Sequence, residues 1–314
     1  PAPAPLAGPA LVVGLVLEWS WQLCLIFGSL VVVTGPTVVG PLVSELRLRQ
    51  RVATVLNAEG VLIDPVGAIL AVLVLELVLA PEHAVTGATE FLLRVGTGAL
   101  LGLVAGALIS QLLRVRRLIP EGLENIFVLA AVLLPFEISA PRSSHRGILA
   151  VTIAGVAVGN SNTRVDRDLR EFKDQLTVLL IGLLFVLLAA DVRFADVAAL
   201  GTSGLVVVAA LVLVVRPLVV WLATAGSDMT LRERLFVGWV APRGIVAAAV
   251  ASLAAGAMDA SGLDGGAQMR ALVFRTIAGT VLQAGLTAGF VARWLGVQLP
   301  RRAGVAVLCG QGLG

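Results

Sequence analysis

Apolar residues run in long blocks along this chain, at about 6–17, 20–43, 52–80, 89–113, 122–140, 147–160, 174–191, 203–224, 235–256 and 271–296. Most approach the roughly 20 residues that carry a helix across a bilayer. The short alternating segments of a transmembrane barrel are not seen. The pattern predicts an all-α, polytopic helical membrane protein. Composition agrees: 58% of residues are hydrophobic and only 14% charged, against about 25% charged in a soluble domain.

A net charge of +3 and a pI near 9.7 invite a nucleic-acid partner. The placement of the arginines excludes it, because they fall in short connections between apolar blocks. One set of connections holds Arg47, Arg49 and Arg51; Arg114, Arg116 and Arg117; Arg164, Arg167, Arg170 and Lys173; Arg232 and Arg234; and Arg301 and Arg302. The alternate set holds Arg94, Arg142, Arg146, Arg193 and Arg270 with Glu82, Asp259 and Asp264. The richly basic loops take every second connection, and the positive-inside rule assigns them to the cytoplasm. The expected location is an inner membrane, crossed many times, with the C-terminus cytoplasmic. Cys24 and Cys309 lie in different segments and indicate no disulfide. The chain starts at Pro1, and spans preceding it are expected.

Charged residues inside the blocks carry the chemistry, since one near mid-membrane costs roughly 2.5–3.5 kcal/mol on insertion scales. Asp64 lies 12 residues past Val52, about 18 Å into its span. Pro65 follows it and should free the carbonyl of Val61. Gly60 and Gly67 leave room for another backbone. A carboxylate beside freed carbonyls is a hard-oxygen site for a cation. Glu59, five residues earlier, points roughly 140° away and needs another partner. Arg243 is the expected one, forming a buried pair that locks two helices, and Pro242 and Gly244 make the backbone irregular there. Arg216 is expected to snorkel from the cytoplasmic end of its span. His83 and His145 are expected in outer loops.

Thr34-Gly35-Pro36-Thr37, followed by Gly40-Pro41, should break the second span inside the membrane. Broken backbone at that depth is tolerated only where it is buried in protein or lines a cavity. A second break is expected at Thr276-Ile277-Ala278-Gly279-Thr280, with Gln283 and Gly285 beyond it. Two interrupted spans, one early and one late, point to inverted repeats with unwound crossing helices around an ion site. After Arg301-Arg302 the chain reads as a short apolar strand running into Gly310-Gln311-Gly312, the way a nucleotide-binding unit begins; a flexible glycine-rich tail fits as well.

Val33-Thr34-Gly35-Pro36-Thr37, Glu59-Gly60-Val61-Leu62-Ile63-Asp64-Pro65, Phe172-Lys173 and Gly238-Trp239-Val240-Ala241-Pro242-Arg243-Gly244-Ile245-Val246 occur in this order. Together they resemble the monovalent cation/proton antiporter family, the NhaP-like sodium/proton exchanger type (CPA1), over roughly residues 18–300. The resemblance implies that Asp64 binds the transported cation or a proton. It implies that Thr34, with Gly60 close by, contributes to the ion site, and that Glu59 and Arg243 form the buried pair. It further implies a homodimer working by alternating access. Residues 1–300 would then be the membrane exchanger domain, lacking its first spans and needing no cofactor. Residues 301–314 would begin a cytoplasmic TrkA-N-like regulatory domain that takes a nucleotide. The chain departs from the family pattern at Ile63, Gly60 and Gly35, which leaves fewer side-chain ligands and keeps both Na⁺ and K⁺ open as substrates.

The expected function is secondary exchange of a monovalent cation for H⁺ at Asp64, one for one and electroneutral, since each protomer carries one such carboxylate. A gated cation channel is the alternative, disfavoured because no filter-like run of carbonyl-rich loops is present. A membrane enzyme would need a nucleophile–base pair or a metal cluster, and neither is visible.

Overall fold

The computed structural model describes residues 4–33, 35–79, 84–114, 124–139, 144–161, 167–191, 194–240 and 242–299. Every regular element among them is helical: α1 (Ala4–Leu17), α2 (Trp21–Val32), α3 (Pro36–Leu46), α4 (Gln50–Leu79), α5 (Ala84–Arg114), α6 (Glu124–Ser139), α7 (Ser144–Gly159), α8 (Arg167–Asp191), α9 (Phe194–Ala199), α10 (Gly201–Ala210), α11 (Arg216–Ala223), α12 (Leu231–Trp239), α13 (Ile245–Ala260) and α14 (Gly266–Trp294). A π-helical turn, Leu211–Val215, joins α10 to α11. Among the described residues, four stretches are long and apolar enough to cross a membrane: Gln50–Leu79, Gly96–Leu113, Gly201–Ala223 and Gly266–Trp294. The outer faces of α5, α8 and α10 expose leucines and valines such as Leu103, Leu183 and Leu205, as a surface solvated by lipid does.

The core gathers around α2, α4, α13 and α14. One apolar cluster joins Ile26, Phe27 and Leu30 of α2 to Ala68 and Leu75 of α4, Ala251 of α13 and Leu272 of α14. A second, toward the basic loops, joins Val43, Leu56, Phe236 and Ala288. Beside this core, α5, α6 and α7 pack on one another, and α5 and α7 pack on α4.

Small residues set how closely α5 and α7 approach. A Cβ on Gly102 would stand 2.5 Å from the Ala150 carbonyl oxygen, and one on Gly106 would stand 2.7 Å from Ala157 Cβ. Glycines four apart thus face the buried Ala150 and Ala154, the small-xxx-small device by which membrane helices reach van der Waals contact. Gly102→Leu has nowhere to place its side chain and is expected to destabilise by about 1–3 kcal/mol or more. Thermal unfolding in detergent, with Gly96→Leu at an open position as control, measures it.

The second span does break as its prolines and glycine predict. Val33 (ψ 116°) and Gly35 (ψ 134°) are extended, and Pro36 starts α3 where its missing N–H costs nothing. The late break is not at 276–280. Gly279 and Thr280 lie mid-way along the continuous α14. Thr276 and Thr280 donate their hydroxyls to the carbonyls of Leu272 and Thr276, both at 2.8 Å. This back-bonding lets threonine sit inside a helix. Gly279 is there for packing, since a Cβ would lie 2.8 Å from Val208 Cγ1. The interruption falls instead between α12 and α13, where Val240 and Gly244 are extended and Pro242 has no N–H to give. Two loop expectations also change: Arg94 lies inside α5 and His145 inside the first turn of α7.

Candidate ion-binding site

Asp64 is the fifteenth of the 30 residues of α4, and so sits at mid-helix, about 21 Å from its first residue. Three residues on, Gly67 lies against the interruption of the second span: a Cβ there would be 2.7 Å from Val33 Cγ2. Residues i and i+3 share a helix face. The face bearing Asp64 is therefore turned toward the broken backbone between α2 and α3. Asp64 Oδ1 is buried with no hydrogen-bond partner among the described residues. Gly60, one turn earlier, is buried. Thr34 lies outside the described residues. Gly35 is the residue before α3, and Pro36 and Thr37 form its first turn.

The two interruptions meet. The buried Arg243, in the gap between α12 and α13, reaches the carbonyl of Val32 with Nη1 at 3.4 Å. Val32 ends α2, so a cation stands where the carbonyls of a helix C-terminus lack intrahelical partners. The Arg243 backbone N–H donates to Thr280 Oγ1 at 3.1 Å. Trp239, the last residue of α12, has its carbonyl met by Gln283 Nε2 at 3.4 Å, and its indole N–H donates to Thr287 Oγ1 at 2.8 Å. The polar residues of α14 thus hold the second gap in place and form no gap themselves.

Glu59 does not pair with Arg243. Its carboxylate is held by both terminal nitrogens of Arg216, with Nη2 to Oε2 at 2.7 Å, a two-pronged, charge-assisted contact. Arg216 is buried, not snorkelling: its side chain is 8% exposed and that of Glu59 16%. The cause is local. Pro217 cannot donate and crowds the preceding turn, and the chain widens to a π turn in which the Arg216 N–H bonds the Leu211 carbonyl five residues back. Such turns rotate the residues that follow. Here the guanidinium enters the core, where it also reaches the Val237 carbonyl at 3.4 Å. The sequence signal was Arg216-Pro217 itself, a charge and a helix breaker inside an apolar block.

Arg216, Arg243, Thr280 and Gln283 line a small cavity with room for about one water molecule. The Nε atoms of both arginines are buried without a partner among the described residues. Among the described residues the arrangement comprises one carboxylate neutralised by an arginine (Glu59), one carboxylate without an ion pair (Asp64), and a second arginine that reaches from one broken helix to the other. It can hold a single cation or a single proton at Asp64, with the remaining charges fixed in place.

Two interrupted helices that meet inside an apolar helical bundle, near a carboxylate whose Oδ1 has no hydrogen-bond partner among the described residues, define a membrane protein with broken spans. The profile of the transmembrane sodium/hydrogen exchanger family matches residues 3–297, and the chain belongs to that family. It is 30% identical over 299 residues to the K(+)/H(+) antiporter NhaP2 of Shewanella oneidensis, covering 92% of this chain and 51% of that protein. It is 28% identical over 285 residues to the Na(+)/H(+) antiporter NhaH of Halobacillus aidingensis, covering 86% of this chain and 68% of that one. The solved structure of the sodium proton antiporter MjNhaP1 from Methanocaldococcus jannaschii at pH 8 superposes with a TM-score of 0.78 at 22% identity, covering 93% of this chain and 75% of that chain. The chain spans about half the length of the NhaP2 relatives it matches. It is an integral membrane protein.

Proposed function

We propose that this chain is the membrane part of a secondary antiporter that exchanges Na⁺ or K⁺ for H⁺ at Asp64. The observation that carries the reading is a carboxylate at mid-helix whose Oδ1 is buried without a hydrogen-bond partner among the described residues, on the face turned toward interrupted backbone. Out of water, an ionised carboxylate needs a compensating charge. A bound cation supplies it, and so does a proton by removing the charge. The two therefore exclude one another. If only the neutralised forms cross between outward and inward access, each cation moved one way returns a proton the other way. One such carboxylate per protomer makes the exchange one for one and electroneutral.

Glu59 and Arg216 have cancelled each other and serve as a fixed strut between α4 and α11. Arg243 keeps the two interruptions aligned. Thr34 and the carbonyls around Gly35 are the proposed cation ligands beside Asp64, with Gly60 leaving room for them. The early and late interruptions form the proposed inverted repeats, and two copies of the chain form the working dimer. The basic loops face the cytoplasm in an inner membrane. Residues 301–314 lie outside the described residues and are proposed to open a cytoplasmic nucleotide-binding domain.

The test is reconstitution of the chain in vesicles with a trapped pH dye, adding Na⁺, K⁺ or Li⁺ in turn. Cation-driven proton movement that persists with the membrane potential clamped is expected for at least one of the three. Cation entry without proton counterflow would make the protein a channel.

A further inference from the structure

The loops at one end of the bundle converge where α3 gives way to α4. The Arg49 N–H donates to the Val297 carbonyl and the Leu299 N–H to the Arg47 carbonyl, both at 2.9 Å, which ties the segment after α14 to this turn. Arg51 Nη1 donates to the Asp228 carbonyl at 2.7 Å. Arg234 donates to the Ser227 and Met229 carbonyls at 2.9 and 3.1 Å. Those two arginines are engaged in holding the turn between α11 and α12. The Arg49 and Arg232 guanidiniums are not: both are exposed, and neither makes a side-chain hydrogen bond or an ion pair with a described residue. The nearby Glu233 carboxylate feels Arg51 and Arg49 electrostatically, but it is occupied in capping α12, accepting from the Thr230 N–H at 2.9 Å.

Arg49 and Arg232 line the same cavity, of about 440 Å³, with Thr230 beside them and Leu231, Leu295 and Val297 as its apolar part. Large apolar side chains are exposed at and beside it. Trp294, Leu231 and Leu299 are all more than half exposed there, and tryptophan at such a boundary marks the depth of the lipid head groups. We infer that this cavity binds the phosphate of an anionic phospholipid. Arg49 and Arg232 grip the phosphate, whose oxygens match the guanidinium fork. The Thr230 hydroxyl is a further donor, and Leu231, Leu295 and Val297 lie against the first acyl carbons. A zwitterionic lipid brings its own cation and loses the net attraction. Free phosphate keeps the charge contacts but gains nothing from the apolar wall.

This inference is independent of the transport reading, and its test reads binding. The full chain in detergent is mixed with phosphatidylglycerol, phosphatidylcholine or inorganic phosphate, and bound lipid is counted by native mass spectrometry with thermal unfolding alongside. Phosphatidylglycerol is expected to bind and to raise the unfolding temperature, with phosphatidylcholine and inorganic phosphate far weaker. R49Q and R232Q are each expected to weaken phosphatidylglycerol binding roughly fivefold, the usual worth of one basic residue at a charged lipid surface. R47Q, on the same turn but outside the cavity, is expected to bind as the parent does. Equal binding of the two lipids, equal competition by inorganic phosphate, or an R47Q loss as large as that of R49Q would overturn the assignment.

Discussion

Vesicles carrying Asp64→Asn are expected to show cation-driven proton flux no higher than protein-free vesicles, a loss of about 100-fold or more against the parent chain, because the displaced proton then has no group to leave. The amide is nearly isosteric, and Oδ1 has no hydrogen bond to a described residue to lose. The unfolding temperature should therefore stay within a degree or two of the parent, the range of a substitution that removes no contact. That separation of activity from stability is what distinguishes an ion site from a structural acid. In the parent, the cation concentration giving half-maximal flux should rise as pH falls, by roughly tenfold per unit once the protonated form dominates, the signature of one proton displacing one cation. Proton flux surviving in Asp64→Asn, or a half-maximal concentration indifferent to pH, would remove Asp64 from the mechanism.

The second large effect concerns stability. Arg216→Met leaves Glu59 buried without its counter-charge and is expected to cost about 3–5 kcal/mol. Replacing both members, Glu59→Leu with Arg216→Met, should recover most of that loss, because an apolar pair of similar volume is often no worse than a buried ion pair. The measurement is a double-mutant cycle on the detergent-solubilised chain, run for Glu59 with Arg216 and, in parallel, for Glu59 with Arg243. The first cycle should show strong coupling and the second weak coupling, since Arg243 spends its hydrogen bonds on Val32 and Thr280. Equal coupling in both cycles would restore the expected pair of Glu59 with Arg243.

That reversal shows how far a linear reading of polar positions carries. Position along the spans lets Glu59 and Arg243 lie at similar depth. Partner choice between packed helices is decided by rotation about the axis as much as by height. The π turn at Leu211–Val215 added a rotation that no apolar periodicity encodes. The second break was misplaced for a related reason. Gly and Thr read as helix-weakening wherever they occur. In α14 the threonine hydroxyls bond back into their own helix and Gly279 receives Val208. Pro242 weakens the backbone more firmly, because a missing N–H cannot be compensated within the helix.

The sequence by itself determined the all-helical membrane architecture, the break at Gly35-Pro36 and the position of Asp64 midway along its helix. These follow from transfer energies and backbone chemistry that each residue carries with it. Only the tertiary structure decided that Glu59 belongs to Arg216, that Arg243 bridges two broken helices, and that Arg49 and Arg232 share one cavity. Those facts depend on which faces of distant helices come together. Close packing fixes that outcome through shape across the whole bundle, and no local stretch of residues records it.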